Sequence, residues 1–326
     1  MTRRHTEESL RRRIVRTSAD WSCVGLRLID YLSGRFTYRD AEAWKSVIAA
    51  GEITVNHAPA VPEQILRMHD LIEYLPRELP EPEAELRYDV LFEDEDLLVI
   101  DKPGNLCMHP SGPFFRHTLW HLMCSRYGDI HFINRLDRET SGALIAAKNR
   151  TAAATLQKPG ARIVKTYLVL VAGEFPPEVD AAGFLISDTH SAVHKKRRFV
   201  TELPDGAANI EECRTLFTRV GSPRPGYSLV EAKLFTGRMH QIRATMHSLG
   251  HPVVGDKLYG VNEKLYLKIR DDSFSEDDRA KLILPRQALH SYRIEFNHPR
   301  TGERLCFTAP VPGIFTEFPN AGDGRP

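Results

Sequence analysis

The sequence predicts an α+β chain with two cores: a small N-terminal unit and a larger one built on a mixed, largely antiparallel β-sheet. Three observations carry this. Beyond residue 86, short runs rich in β-branched and aromatic residues recur at 88–92, 97–102, 163–172, 214–219, 228–235 and 291–308, with few helical patterns between them. That many strands recur with few helices argues against a doubly wound sheet, and no Gly-rich loop of Walker or Rossmann spacing follows a strand, so a nucleotide cofactor has no support. An acidic, proline-spaced stretch at 77–86 reads as a stiff, extended linker between the two halves. At 326 residues and 42% hydrophobic content, the chain is long and apolar enough to fill both cores.

Taken in order, residues 1–21 read as a flexible basic arm, since residues 1–16 hold six arginines against two glutamates and no apolar periodicity begins before Trp21. The N-terminal unit is expected over 22–76. Val24, Leu26, Leu28, Ile29 and Leu32 suggest a first helix; Ala41, Trp44, Val47 and Ile48 suggest a second, stopped by Gly51. Ile53-Thr54-Val55 and residues 71–75 then read as strands, with Asn56-His57 as a turn between them. The larger unit is expected over 87–318, followed by a flexible tail at 319–326.

Charge and cysteine content narrow the class. Lys plus Arg number 44 against 43 Asp plus Glu, a net charge of +1, so the distribution matters more than the sum. Lys195, Lys196, Arg197 and Arg198 form a cationic run, which is either a solvated surface or a place for phosphate. The five cysteines are scattered without CxxC spacing, so neither a disulfide framework nor a metal site is indicated and a reducing cytoplasm fits best. No run approaches 18 apolar residues and no signal-like segment follows the N-terminal arginines, so neither membrane spanning nor secretion is expected.

The most informative segment is Arg135-Leu136-Asp137-Arg138-Glu139-Thr140-Ser141-Gly142-Ala143-Leu144. An aspartate between two arginines precedes a turn, and an apolar strand follows. Gly142 would let the backbone pass where a side chain would clash. A carboxylate beside guanidiniums stays ionised at neutral pH, as a nucleophile or an anionic base must. An isolated segment of this kind is also compatible with a structural ion pair at a strand entrance.

This segment resembles the HRLDxxTSG-like motif of the RluA-type pseudouridine synthases. Further blocks match that family in order: Lys165-Thr166-Tyr167-Leu168-Val169-Leu170-Val171-Ala172-Gly173; then Thr236-Gly237-Arg238-Met239-His240-Gln241-Ile242-Arg243, continuing through His251-Pro252 to Gly255-Asp256; and last Ala288-Leu289-His290-Ser291-Tyr292. The resemblance spans roughly residues 86–315. One departure is Asn134, where the family usually has histidine; asparagine hydrogen-bonds but does not titrate. The N-terminal unit is similar to S4 RNA-binding domains in GLRLIDYL, Arg39, GEITVNH and MHDLIEYL.

The resemblance implies a pseudouridine synthase fold with a catalytic cleft, isomerisation of uridine in structured RNA, and no cofactor. It implies that Asp137 is the reactive carboxylate, that Tyr167 stacks on the flipped uracil, and that Arg243 pairs with Asp137 beside Ile242 in the substrate site. It also places Arg135 to fill the gap left by the flipped base; a second counter-ion for Asp137 is the alternative. Gly237 is expected to permit a tight turn. Arg27, Arg35, Arg39 and Lys45 on the S4-like unit, and Lys195, Lys196, Arg197 and Arg198, are candidates for RNA backbone contact on charge alone. Ribosomal RNA is the favoured partner over transfer RNA, and a monomer is expected. Two other classes compete: a non-catalytic RNA-binding assembly factor, and a glycosidic-bond hydrolase, which would ordinarily need a second carboxylate or a metal-bound water.

Overall fold

A computed structural model describes residues 14–36, 39–76, 81–270 and 273–316. The chain divides into one unit of the first 82 residues with residues 111–116, and a second comprising the rest.

In the first unit, helices α1 (Leu28–Arg35) and α2 (Ala41–Ala49) accompany a four-stranded antiparallel sheet. Its strands are β1 (Val15–Ser18), β2 (Ile53–Val55), β3 (Ala58–Pro59) and β4 (Leu71–Tyr74), ordered β1-β4-β2-β3. Asp40 caps α2 by accepting from the Ala43 amide, and Leu28, Leu32, Trp44, Val47, Ile53 and Ile72 fill the core. The first helix starts later than its apolar spacing suggests. Val24 and Leu26 are exposed, and Gly25, at φ 86°, turns the chain before Leu28.

The expectation of a flexible arm through residue 21 is corrected for its last part. Residues Val15–Ser18 pair along the whole of β4, and Arg16 Nε donates to Glu73 at 2.8 Å. A four-residue edge strand shows no helical period, so it was invisible to periodicity; cross-strand pairing holds it. Residues 1–13, 77–80 of the linker and the tail at 319–326 lie outside the described residues.

The second unit is organised by one large sheet. Its strands are β5 (Asp89–Glu93), β6 (Leu97–Lys102), β7 (His131–Phe132), β8 (Ser141–Ala147), β9 (Val164–Ala172), β10 (Glu178–Ser187), β11 (Arg197–Val200), β12 (Glu211–Gly221), β13 (Tyr227–Leu234), β14 (Leu289–Asn297) and β15 (Arg304–Thr308). The order is β11-β10-β12-β13-β9-β14-β8-β6-β5, with β15 on β14 and β7 on β8. Among the described strands only β14 and β8 run parallel, so the sheet is mixed and largely antiparallel as expected. Helices α3 (Leu119–Tyr127), α4 (Arg150–Gln157), α5 (Gln241–Ser248), α6 (Lys264–Arg270), α7 (Glu276–Ala280) and α8 (Gly313–Thr316) are short.

Strand β8 is buried along its whole length, and its small residues let α4 approach: Ala152, Ala153 and Leu156 pack with Ala143, Ile145, Ala147 and Phe296 in one core. The parallel contact with β14 depends on Gly142. Its φ is +109°, and a Cβ there would lie 2.3 Å from the Ser291 carbonyl oxygen. Gly142 therefore sets the close approach of two strands immediately after the Asp137 turn.

Candidate active site

A cavity of about 530 Å³ opens between the turn before β8, the first residues of β9, and the loop from β13 into α5. Asp137, Tyr167, Ile242, Arg243, Arg135 and Lys165 all line it, so residues separated by more than 100 positions meet at one place. Asp137 sits in the β7–β8 loop, whose turn is closed by the Thr140 amide donating to the Asp137 carbonyl.

Neither arginine beside Asp137 in sequence is its counter-ion. Arg138 turns to Glu139 at 3.3 Å, and Arg135 is exposed with no ion pair to Asp137 among the described residues. Arg243, projecting from α5, donates from Nη1 to Asp137 Oδ2 at 2.7 Å. Burial, the largest single effect, opposes the Asp137 charge, but the charge and hydrogen bond of Arg243, together with His240 and Gln287, outweigh it and hold the carboxyl down at about 2. His240 Nε2 lies 4.0 Å from Asp137 Oδ1. Burial, reinforced by Arg243, pulls that imidazole down to about 4, so it is neutral at pH 7 and the ionisation of Asp137 rests on Arg243.

The turn carrying Asp137 is fixed by groups the sequence did not single out. The ammonium of Lys102, wholly buried at the end of β6, donates to the carbonyls of Pro103 (2.7 Å), Leu106 (2.9 Å) and Arg138 (3.2 Å). Burial pulls it down to about 7. From another side, Arg286 donates to the Glu139 carbonyl, Lys257 to the Glu139 carboxylate, and Gln287 to the Thr140 hydroxyl. Asn134, in the place of the family histidine, is buried and accepts from the Ile145 amide at 2.9 Å. It ties the turn to β8.

Tyr167 stands on β9 facing the cavity, and burial pushes its phenol up to about 12. It is protonated at neutral pH and offers the cavity an aromatic surface rather than a base. Ile242 is buried beside Arg243 and adds apolar wall.

Three sequence expectations are corrected. Gly237 is not in the left-handed region; the positive φ in this loop belongs to His240, at 57°, which precedes α5. What Gly237 supplies is room, since a Cβ there would come within 2.8 Å of Lys165 Nζ. Lys196 and Arg197 do not form an open cationic surface. Lys196 is buried against Glu263 at 2.9 Å, and Arg197 is buried with Glu211 at 2.6 Å, so within this run only Lys195 and Arg198 are exposed. On the N-terminal unit, Arg27 is forked onto Asp30 and Lys45 is paired with Glu42 at 2.8 Å. Arg35 lies over Tyr31 and Phe36, and Arg39 over Trp44 and Tyr74, each within 6 Å of the ring centres.

The chain is similar to known proteins over most of its length. A family model for RNA pseudouridylate synthase matches residues 96–248, which include the Asp137 turn, Tyr167 and Arg243. An uncharacterized RNA pseudouridine synthase of Bacillus subtilis is 32% identical over 275 residues, 80% of this chain and 82% of the relative. The ribosomal large subunit pseudouridine synthase C of Pasteurella multocida is 30% identical over 309 residues, 88% of this chain and 87% of the relative. Among solved structures, human RNA pseudouridylate synthase domain containing 1 shares the fold at a TM-score of 0.56 and 24% identity, over 74% of this chain and 89% of that one.

Proposed function

The chain belongs to the RluA-type RNA pseudouridine synthases, and from that premise we propose that it isomerises specific uridines of ribosomal RNA with Asp137 as the reactive group. The isomerisation breaks the N1–C1′ bond, turns the uracil, joins C5 to C1′ and releases the proton from C5. It needs no net redox change and no external energy source. One observation carries the role of Asp137: its carboxylate is held ionised by Arg243 at 2.7 Å, yet keeps about a third of its side-chain surface open to the cavity (34%). An anchored but accessible anion is what nucleophilic attack or proton abstraction requires.

The remaining cavity groups fit a base turned out of its stack. Tyr167 supplies the aromatic face, Ile242 the apolar wall, and exposed Arg135, which has no ion pair among the described residues, the planar group that enters the gap in the RNA. The N-terminal unit, with its two helices followed by strands β2 to β4, docks as an S4-like domain on RNA backbone. Arg35 and Arg39, which are not committed to carboxylates among the described residues, are its best-placed cations, with Lys195 and Arg198 on the second unit. No helix among the described residues is long and apolar enough to cross a membrane, and a cytoplasmic enzyme acting on ribosomal RNA is the corresponding reading.

Mapping pseudouridines in total RNA from cells with and without the protein tests this. Loss at one or a few ribosomal RNA positions is expected. Loss confined to transfer RNA would move the substrate to that class, and an unchanged map would count against the activity.

A further inference from the structure

Lys165 stands two residues before Tyr167 on β9, so strand alternation sends both side chains to the cavity side, and both line it. Its cross-strand neighbours are Leu234 on β13 and Ile294 on β14, neither of which offers a side-chain acceptor. Among the described residues no carboxylate, carbonyl or hydroxyl takes a hydrogen bond from its ammonium. Burial alone acts on the group and holds it below the usual lysine value. The opposite wall makes room for it through the missing side chain of Gly237.

The charge around Lys165 identifies what it lacks. Among the described residues Asp137 is the single carboxylate lining the cavity, and it is engaged by Arg243. Arg135, Arg238 and Lys165 line the same space, so the cavity carries more positive charge than the protein neutralises. A partly desolvated ammonium with no acceptor among the described residues is unfavourable in isolation and becomes favourable when an anion enters. A uracil carbonyl would satisfy one hydrogen bond and leave the excess charge in place. A phosphodiester oxygen satisfies both.

We propose that Lys165 Nζ binds a non-bridging oxygen of the phosphodiester next to the flipped uridine. It thereby fixes the nucleotide's backbone while Tyr167 holds its base. This rests on the reading that the cavity takes a uridine of RNA. Lys165 is then a substrate-binding residue whose contact is made before the chemistry and kept through it.

The test uses the full chain, its Lys165→Met and Lys165→Arg variants, and RNA from cells lacking the protein, labelled with tritium at uridine C5. Lys165→Met should raise KM and Kd by roughly tenfold or more while kcat stays within about twofold, the pattern of a contact held equally in ground and transition states. The slope of log Kd against log salt should fall by about one, and Lys165→Arg should restore most of the affinity. Removing an unpaired, half-buried charge should leave the melting temperature equal or higher, which a merely structural lysine would not do. If Lys165→Met does not fold, Lys165→Gln carries the same comparison. An unchanged Kd and salt slope, or a fall in kcat with KM unaltered, would overturn the proposal. Absence of tritium release by the wild type would sink the isomerase reading instead, and the salt slope of RNA binding would still decide the phosphate contact.

Discussion

Asp256 grips Arg243 with both carboxylate oxygens, at 2.6 Å from Nε and 2.8 Å from Nη2, leaving Nη1 for Asp137. Asp256 is itself wholly buried and is fixed by the amides of Leu258 and Tyr259. The order of support therefore runs from the Asp256 loop through Arg243 to the reactive carboxylate.

Replacing Asp256 by asparagine is expected to lower kcat about 10–100-fold, because a misplaced Arg243 misplaces Asp137. In the wild type, Asp137 is held at about 2 and Asp256 is also held below its ordinary value, so both stabilise the fold at pH above the unfolded value of about 3.9. That contribution is lost as pH falls from about 4 toward 2. Removing Arg243 with Arg243→Met should cost about 3–5 kcal/mol at pH 7, since Asp256 would be left as an uncompensated buried charge. Denaturant melts at pH 7 and pH 3 with kcat measurements check all of these, and an unchanged kcat in Asp256→Asn would contradict the coupling.

Tyr167→Phe should keep kcat/KM within severalfold of wild type, because the ring remains and the hydroxyl is not called on as a base. Tyr167→Leu removes a stacking surface worth about 1–3 kcal/mol, so kcat/KM should fall by roughly 5–150-fold. A leucine variant as active as wild type would remove the stacking role.

Gly142→Ala is expected to destabilise the protein by about 1–3 kcal/mol or more. The added methyl meets the Ser291 carbonyl at 2.3 Å, on a backbone held at φ +109°. An unchanged denaturation midpoint would mean that the β8–β14 approach is softer than this geometry implies.

What could be seen in the sequence divides along a physical line. Asp137, Tyr167 and Arg243 lie in contiguous blocks, so local spacing was enough to find them. Asp256 was in such a block, but its role exists only through a fork with Arg243 across the fold. Lys102 reads as the end of a strand, and nothing local reveals that three carbonyls converge on its ammonium. The cationic run at 195–198 misled for the opposite reason. Charge counted along the chain ignores which residues turn inward, and Lys196 and Arg197 do so onto Glu263 and Glu211. Strand β10 was missed because its Ala-Ala-Gly centre has little strand propensity, and pairing with β12 overrides that.

Tritium release from RNA labelled at uridine C5, compared between wild type and Asp137→Asn, tests the central claim most directly. The amide keeps the size of Asp137 and can still hydrogen-bond to Arg243, but it is neither an anionic nucleophile nor a base. The wild type should release tritium from RNA that has not met the protein. The variant should release none above background while folding normally and binding the same RNA. Ordinary turnover by Asp137→Asn would contradict the account.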